Sequence, residues 1–170
     1  LKKLFFVGGG AYLQGKTKSF LVSALIAAVI SAVFVYFYWG CIAREVPVAY
    51  EGDAFSVLMT IQGYAEGNTN PITPRFLDRL NAPFHGAWSD YPQEKMVYWP
   101  AGWLVGLLGI AYGSTLYVLI LQILAGLAFY FAGKCLLQTS GREIWLFCGA
   151  ILFGLAPYAF LRNLQHLALT

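Results

Sequence analysis

Ser19–Ala43 reads SFLVSALIAAVISAVFVYFYWGCIA and contains no charged residue. About 20 apolar residues suffice to cross the hydrocarbon core of a bilayer, so this stretch predicts a transmembrane helix with some tilt. It is too long for a signal-peptide core, and no clean small-residue cleavage pattern follows it. Tyr36, Tyr38 and Trp39 gather at its far end, where amphipathic rings favour the membrane–water interface. Lys2, Lys3, Lys16 and Lys18 precede it with no acid among them. By the positive-inside rule, residues 1–18 form a cytoplasmic flank and the chain from Arg44 onward starts outside.

Composition agrees with that reading. The 170 residues are 59% hydrophobic and only 11% charged, with a mean hydropathy of +0.63. Soluble domains carry about 25% charged residues. The net charge of +3 is small, and every acidic residue except Glu143 lies between Glu45 and Glu94. Such asymmetry describes membrane sidedness rather than nucleic-acid binding, which needs basic residues gathered on one face. Cys41, Cys135 and Cys148 fall in or beside apolar segments without a CxxC pair. They are expected to be buried small apolar residues, not zinc ligands or disulfides. The chain begins with Leu1 and stops at Thr170 just after an apolar segment, which reads as part of a longer polytopic protein.

Gly10-Ala-Tyr-Leu-Gln-Gly15-Lys16-Thr17 matches the phosphate-binding pattern G-x-x-x-x-G-K-[ST]. In such a loop, backbone N–H groups wrap phosphates and the lysine neutralises them. Here the pattern runs straight into the apolar Ser19–Ala43 stretch. No later strand ends in an aspartate for magnesium, and no βαβ series follows. A basic cytoplasmic flank is the expected role, with a nucleotide-binding protein as the rival.

Residues 44–113 form a large extracytoplasmic loop with juxtamembrane helices. Ala54–Glu66 (AFSVLMTIQGYAE) predicts a helix of about three turns, with Asp53 at its N-cap position and Gly67-Asn68 as the stop signal. Phe55, Leu58, Met59 and Gln62 share one face, with Val57, Ile61 and Tyr64 beside it, so the helix should lie on the membrane surface or under other helices. Next comes a turn-rich path through Asn68, Pro71, Pro74, Asn81, Pro83 and Pro92, threaded with Phe76, Phe84, Trp88 and Tyr91. A loop this long and this aromatic is functional rather than a flexible linker. The segment 97–112 (VYWPAGWLVGLLGIAY) is apolar but short and contains Pro100. It either crosses the membrane or lies in the interface as an interfacial or re-entrant segment, anchored by Tyr98, Trp99 and Trp103. The second reading returns Lys134 and Arg142 to the cytoplasm, as the charge bias prefers. Spans are then expected at 115–133 and 144–160, joined by a cytoplasmic loop at 134–143. Residues 161–170 begin a second extracytoplasmic segment. The fold is expected to be all-α and polytopic, with about three spanning helices and its N-terminus in the cytoplasm.

Two stretches share the outer face in this topology. The first joins Tyr50-Glu51-Gly52-Asp53 to Asn81-Ala-Pro83-Phe84-His85-Gly86-Ala-Trp88-Ser-Asp90-Tyr91-Pro92. The second is Pro157-Tyr158-Ala-Phe160-Leu-Arg162-Asn163-Leu-Gln-His166-Leu. Together, over about residues 45–170, they resemble the N-terminal part of bacterial integral membrane glycosyltransferases of the C-type superfamily. Those proteins carry a "GDA/GDxL"-type acidic motif after the first helix, then a "GxPFG…DYP/DFP" segment and a later "PYHFxR…HLxL" motif. The resemblance implies an inner-membrane enzyme with an acidic residue at the active site of its first outer loop. Its implied donor is a polyprenyl-phosphate-linked sugar rather than a nucleotide sugar. The sequence departs from the pattern at His85, where glycine is usual, and in having Glu51-x-Asp53 rather than a DxD pair.

The side chains fit that chemistry on their own terms. Glycosyl transfer from a phosphate needs a carboxylate for the acceptor hydroxyl and positive charge on the departing phosphate. Asp53 is the candidate base, and with Glu51 a candidate ligand for a divalent cation, magnesium or manganese. Arg162 suits bidentate contact with phosphate. His166, four residues on, falls on the same face if the helix continues. His85 and Asp90 are further substrate-binding candidates. Each has a plainer role: Asp53 as a helix N-cap, Glu51 as a solvated loop residue, Arg162 as an interface-snorkelling end of a helix. His166 suits packing, and His85 and Asp90 suit backbone hydrogen bonding within the loop. Trp88 and Tyr91 suit lipid headgroups or a sugar face. The rival function is a non-catalytic polytopic membrane protein, a transporter or envelope-assembly subunit. A transporter would more readily carry ionisable groups inside its spans, and the expected spans contain none.

Overall fold

A computed structural model describes residues 7–47, 54–67, 76–77, 86–87, 95–137 and 143–156. Among these the protein is helical apart from one short strand pair. The element order is α1 (Val7–Ala43), α2 (Ala54–Ala65), β1 (Phe76–Leu77), β2 (Gly86–Ala87), α3 (Lys95–Leu137) and α4 (Glu143–Gly154). The two strands pair antiparallel, Phe76 opposite Ala87 and Leu77 opposite Gly86, within a stretch expected to hold only turns.

Among the described residues, two helices are long and apolar enough to cross a membrane, Thr17–Ala43 and Tyr98–Leu137, against the about three spans expected from the sequence. The third expected span, 144–160, contains α4, which has 12 residues and rises only about 18 Å at 1.5 Å per residue. A bilayer core is about 30 Å thick, so α4 by itself is short of it. α3 has the opposite problem, because its 43 residues would reach about 64 Å if straight. It is not straight. Gly109 takes φ 78°, ψ 167° inside it, a conformation essentially reserved for glycine. The break divides α3 into a first arm, Lys95–Leu108, rising about 21 Å, and a second arm, Ile110–Leu137, rising about 42 Å. It falls inside the ambiguous 97–112 segment.

α1 begins at Val7, so Gly10–Thr17 is helical. Interior helical N–H groups are already spent on carbonyls four residues back. The segment therefore has no open nest of amides to wrap a phosphate, and the nucleotide-binding alternative loses its geometry.

The chain divides into two compact units. One comprises 1–33 with 122–155. Its helices meet around Ile30, which is fully buried. A Cβ on Gly126 would stand 2.8 Å from Ile30 Cδ1 and 2.9 Å from the Ala150 carbonyl oxygen, and one on Gly154 would stand 2.7 Å from Ile30 Cδ1. Small residues allow the close backbone approach that drives helix association in lipid. Toward the end of α3, Lys134 Nζ lies 5.6 Å from the centre of the Tyr130 ring. The outward side chains of this unit are large and apolar, including Phe20, Leu136, Trp145 and Leu152. Cys135 and Cys148 are exposed too, which corrects the expectation of burial. On a helix with an apolar exterior, a small apolar side chain suits the outer face as well as the inner.

The other unit comprises 34–121 with 156–170. Its core is Phe34, Val57, Ile61, Tyr64, Tyr98, Ala101, Val105, Tyr117 and Val118. These come from the end of α1, from α2, and from α3 on both sides of Gly109. The exterior again carries large apolar groups: Tyr36, Phe37, Trp39, Trp103, Leu107.

Candidate functional site

The candidate site was built in sequence on Asp53, and α2 begins at the very next residue, Ala54. What holds α2 therefore bears directly on the site. Val57, Leu58, Thr60, Ile61, Gly63 and Tyr64 are all buried, so α2 lies under other helices rather than on a surface. Its buried stripe runs through Val57, Ile61 and Tyr64, at the i, i+4, i+7 spacing of one helical face. Gly102 and Gly106 of α3 are what allow the contact. A Cβ on Gly102 would collide with Tyr64 Cβ and stand 3.2 Å from the Ala65 amide nitrogen, and one on Gly106 would touch Ala65. Tyr98, fully buried, completes the seat.

The same arm of α3 corrects the expected membrane anchor. Tyr98 points inward, whereas Trp99 and Trp103 point out, at 46% and 70% exposure. Successive residues on a helix are about 100° apart, so Tyr98 and Trp99 cannot share a face. The two tryptophans, four apart, meet edge to face at 6.3 Å between ring centres.

At Gly109 the arm turns back on itself. A Cβ on Gly113 would lie 2.5 Å from Val105 Cα and 2.6 Å from its nitrogen. These residues stand four before and four after the break, so the two backbones cross at its first turn. Ser114 follows, its hydroxyl donating to the Ile110 carbonyl.

α1 delivers the chain toward Asp53 through a second unusual turn. Val46 N–H donates to the Cys41 carbonyl at 3.0 Å, and Glu45 N–H to that of Ile42 at 3.2 Å. This six-to-one and five-to-two pair is a Schellman termination, which calls for a left-handed residue, usually glycine. Here it is Glu45, with φ 56°. For a residue with a Cβ, that conformation costs about 1–2 kcal/mol. Across 67 residues of sequence, Tyr112 Oη donates to Glu45 Oε1 at 3.5 Å, longer than the usual 2.5–3.0 Å.

Glu51, Asp53, His85, Asp90, Arg162 and His166 all lie outside the described residues, and so does their expected convergence. Among the described residues, no group of three or more His, Cys, Asp or Glu stands together; the cation candidates Glu51 and Asp53 are not among them. Two groups that sequence reasoning passed over do have described geometry. Glu45 carried a faint signal, since the helix stop Arg44-Glu45-Val46-Pro47 lacks the expected glycine. Gln122 is 2% exposed, and neither its Oε1 nor its Nε2 has a hydrogen-bond partner. It is the one amide in the apolar run between Gly113 and Lys134. No known protein family, no curated protein and no solved structure matches the chain.

Proposed function

We propose that the protein is an integral membrane glycosyltransferase that moves a sugar from a polyprenyl-phosphate donor to an acceptor outside the cytoplasm. The observation that carries the membrane part is the placement of the segment holding Asp53. In sequence it lies between Thr17–Ala43 and Tyr98–Leu137, which among the described residues are the two helices long and apolar enough to cross a bilayer. Both units expose large apolar side chains, among them Phe20 and Leu136 in one and Trp103 and Leu107 in the other, which supports a surface that faces lipid. By charge bias the N-terminus is cytoplasmic, and the resemblance to the C-type superfamily implies a bacterial inner membrane. The transfer chemistry rests on the residues that resemble the C-type superfamily.

In this reading Asp53 takes the proton of the acceptor hydroxyl as its oxygen bonds to the anomeric carbon. The bond from that carbon to the phosphate oxygen breaks, and polyprenyl phosphate leaves with the electron pair. Arg162 and His166 stabilise the charge on the leaving phosphate, and His85 and Asp90 orient the sugar. Glu51 shares a magnesium or manganese ion with Asp53 where one is used. Removing a general base costs about 10²–10⁴-fold in rate.

The test uses membranes containing the protein and a panel of undecaprenyl-phosphate-linked, radiolabelled hexoses and pentoses. Asp53→Asn preserves helix capping and removes the base, so transfer should fall by about 10² or more while the protein level holds. Undiminished transfer by Asp53→Asn sinks the catalytic assignment.

A further inference from the structure

The turn that ends α1 needs a left-handed residue, and glycine would make both of its backbone bonds without strain. Glu45 stands there instead, at φ 56°. What glutamate adds is a side chain long enough to reach Tyr112 on α3. Tyr112 is placed where movement would be felt. It lies between Gly109, where α3 breaks, and Gly113, which is packed backbone to backbone against Val105. In sequence, Glu45 also opens the short stretch that leads to Glu51 and Asp53.

We propose that Glu45 is a positioning residue. Its left-handed turn sets the direction in which the chain leaves α1, and its carboxylate ties that turn to Tyr112, so that the α1 exit and the break in α3 move as one piece. At 3.5 Å the tie is loose, and shortening it by about 0.5 Å would bring it into the ordinary range. Glu45 touches no reacting atom in this account. It acts through the segment that bears Asp53, and that functional consequence rests on the glycosyltransferase reading.

The experiment uses the full chain in lipid nanodiscs, with Cys41, Cys135 and Cys148 replaced by alanine. Spin labels are placed at Gly40→Cys and Leu108→Cys, which are both exposed, and pulsed electron resonance reads the distance distribution between them. Glu45→Gly, Glu45→Gln and Tyr112→Phe are compared with the parent. Glu45→Gly should leave the thermal midpoint unchanged or higher, because it relieves the turn, yet broaden the distance distribution. Tyr112→Phe should broaden it equally, and the Glu45→Gly/Tyr112→Phe double variant no further. Glu45→Gln keeps an acceptor oxygen and should retain the narrow distribution. Sugar transfer should fall about twofold in Glu45→Gly and Tyr112→Phe, as expected for one long, exposed hydrogen bond at the low end of the usual range. Glu45→Gln should recover it. A Glu45→Gly protein with the parent's narrow distribution overturns the proposal. A parent that transfers no sugar counts against the glycosyltransferase reading alone, and the distance distributions then decide the role of Glu45 by themselves.

Discussion

Gly113→Ala should unfold the protein several degrees earlier, although alanine is the better helix former. In an unobstructed helix interior, replacing glycine by alanine gains about 0.5–1 kcal/mol. Gly40 is such a place, exposed and with nothing within 4 Å of an added Cβ. At Gly113 the same methyl group would stand 2.5 Å from Val105 Cα, 2.6 Å from Val105 N and 2.7 Å from Leu104 C. All three are backbone atoms, so no rotamer change relieves the contact. Ordinary van der Waals contact lies near 3.5–4.0 Å, and the first arm of α3 must retreat by about 1 Å to restore it. Overpacking of this kind costs about 1–3 kcal/mol, which outweighs the propensity gain. For a chain of this length each kcal/mol moves the thermal midpoint by about 2–4 °C. Thermal unfolding in nanodiscs, followed by intrinsic fluorescence, should then place Gly113→Ala below the parent and Gly40→Ala slightly above it. Gly149→Ala is the intermediate case. Its Cβ would stand 2.7 Å from Phe129 Cε1, the far end of a side chain that can swing, so Phe129→Leu should restore what is lost there. Val105→Ala should restore nothing at Gly113. A Gly113→Ala midpoint equal to that of Gly40→Ala, or rescued by Val105→Ala, refutes the backbone crossing.

Gly109→Ala meets no steric obstacle but cannot adopt φ 78°, ψ 167° without a cost of about 1–3 kcal/mol. It should lower the midpoint and lengthen a spin-label distance between positions 104 and 112, which the fold-back brings together and a straight helix would hold about 12 Å apart, and an unchanged distance would show that the break does not depend on glycine. Tyr98→Ala removes a fully buried ring and should cost about 3–5 kcal/mol, as large aromatic deletions do. Trp103→Ala, at a 70% exposed position, should stay close to the parent in the same thermal assay, so equal losses would contradict the assigned faces. Gln122→Met keeps the volume and removes an amide whose polar atoms lack partners. It should raise the midpoint by the equivalent of about 1–3 kcal/mol, the usual penalty of an unsatisfied buried polar group. A loss of stability would show that the amide is bonded in the membrane.

The helices were legible because length and apolarity are properties of sequence itself. Ser19–Ala43 announces a span before any neighbour is known. α2 was legible as a helix from Asp53 and Gly67, but not in its orientation. Its apolar residues nearly encircle it, and only packing against Gly102 and Gly106 selects the Val57–Ile61–Tyr64 stripe. The break at Gly109 was hidden for a similar reason. α3 contains several glycines and one proline, and Pro100, the residue that textual rules single out as a breaker, sits inside the helix. The residue that turns the chain is one glycine among equals, distinguished only by a backbone angle. Glu45 is the converse, a left-handed position occupied by a residue that propensity would never put there.

Those two turns also explain why the candidate site was legible only as a set of residue types. Asp53 stands more than a hundred residues of sequence from Arg162 and His166, so nothing local can bring it to them. Their residue types and order suggest a chemistry, but no local pattern brings them together, and the tertiary events nearest Asp53 in sequence are how α1 ends and how α3 bends. Neither event has a strong sequence signature: one uses glutamate where glycine is expected, and the other uses a glycine that resembles its neighbours. The angle at which α1 releases the chain is set at Glu45, and the seat of α2 is set by the arm that Gly109 folds back. Under the proposed function, a change at either position is expected to affect transfer without touching any residue that the chemistry names. Loss of transfer in such a variant, with Asp53 intact and the protein stably folded, would therefore locate the control of this site in its two turns.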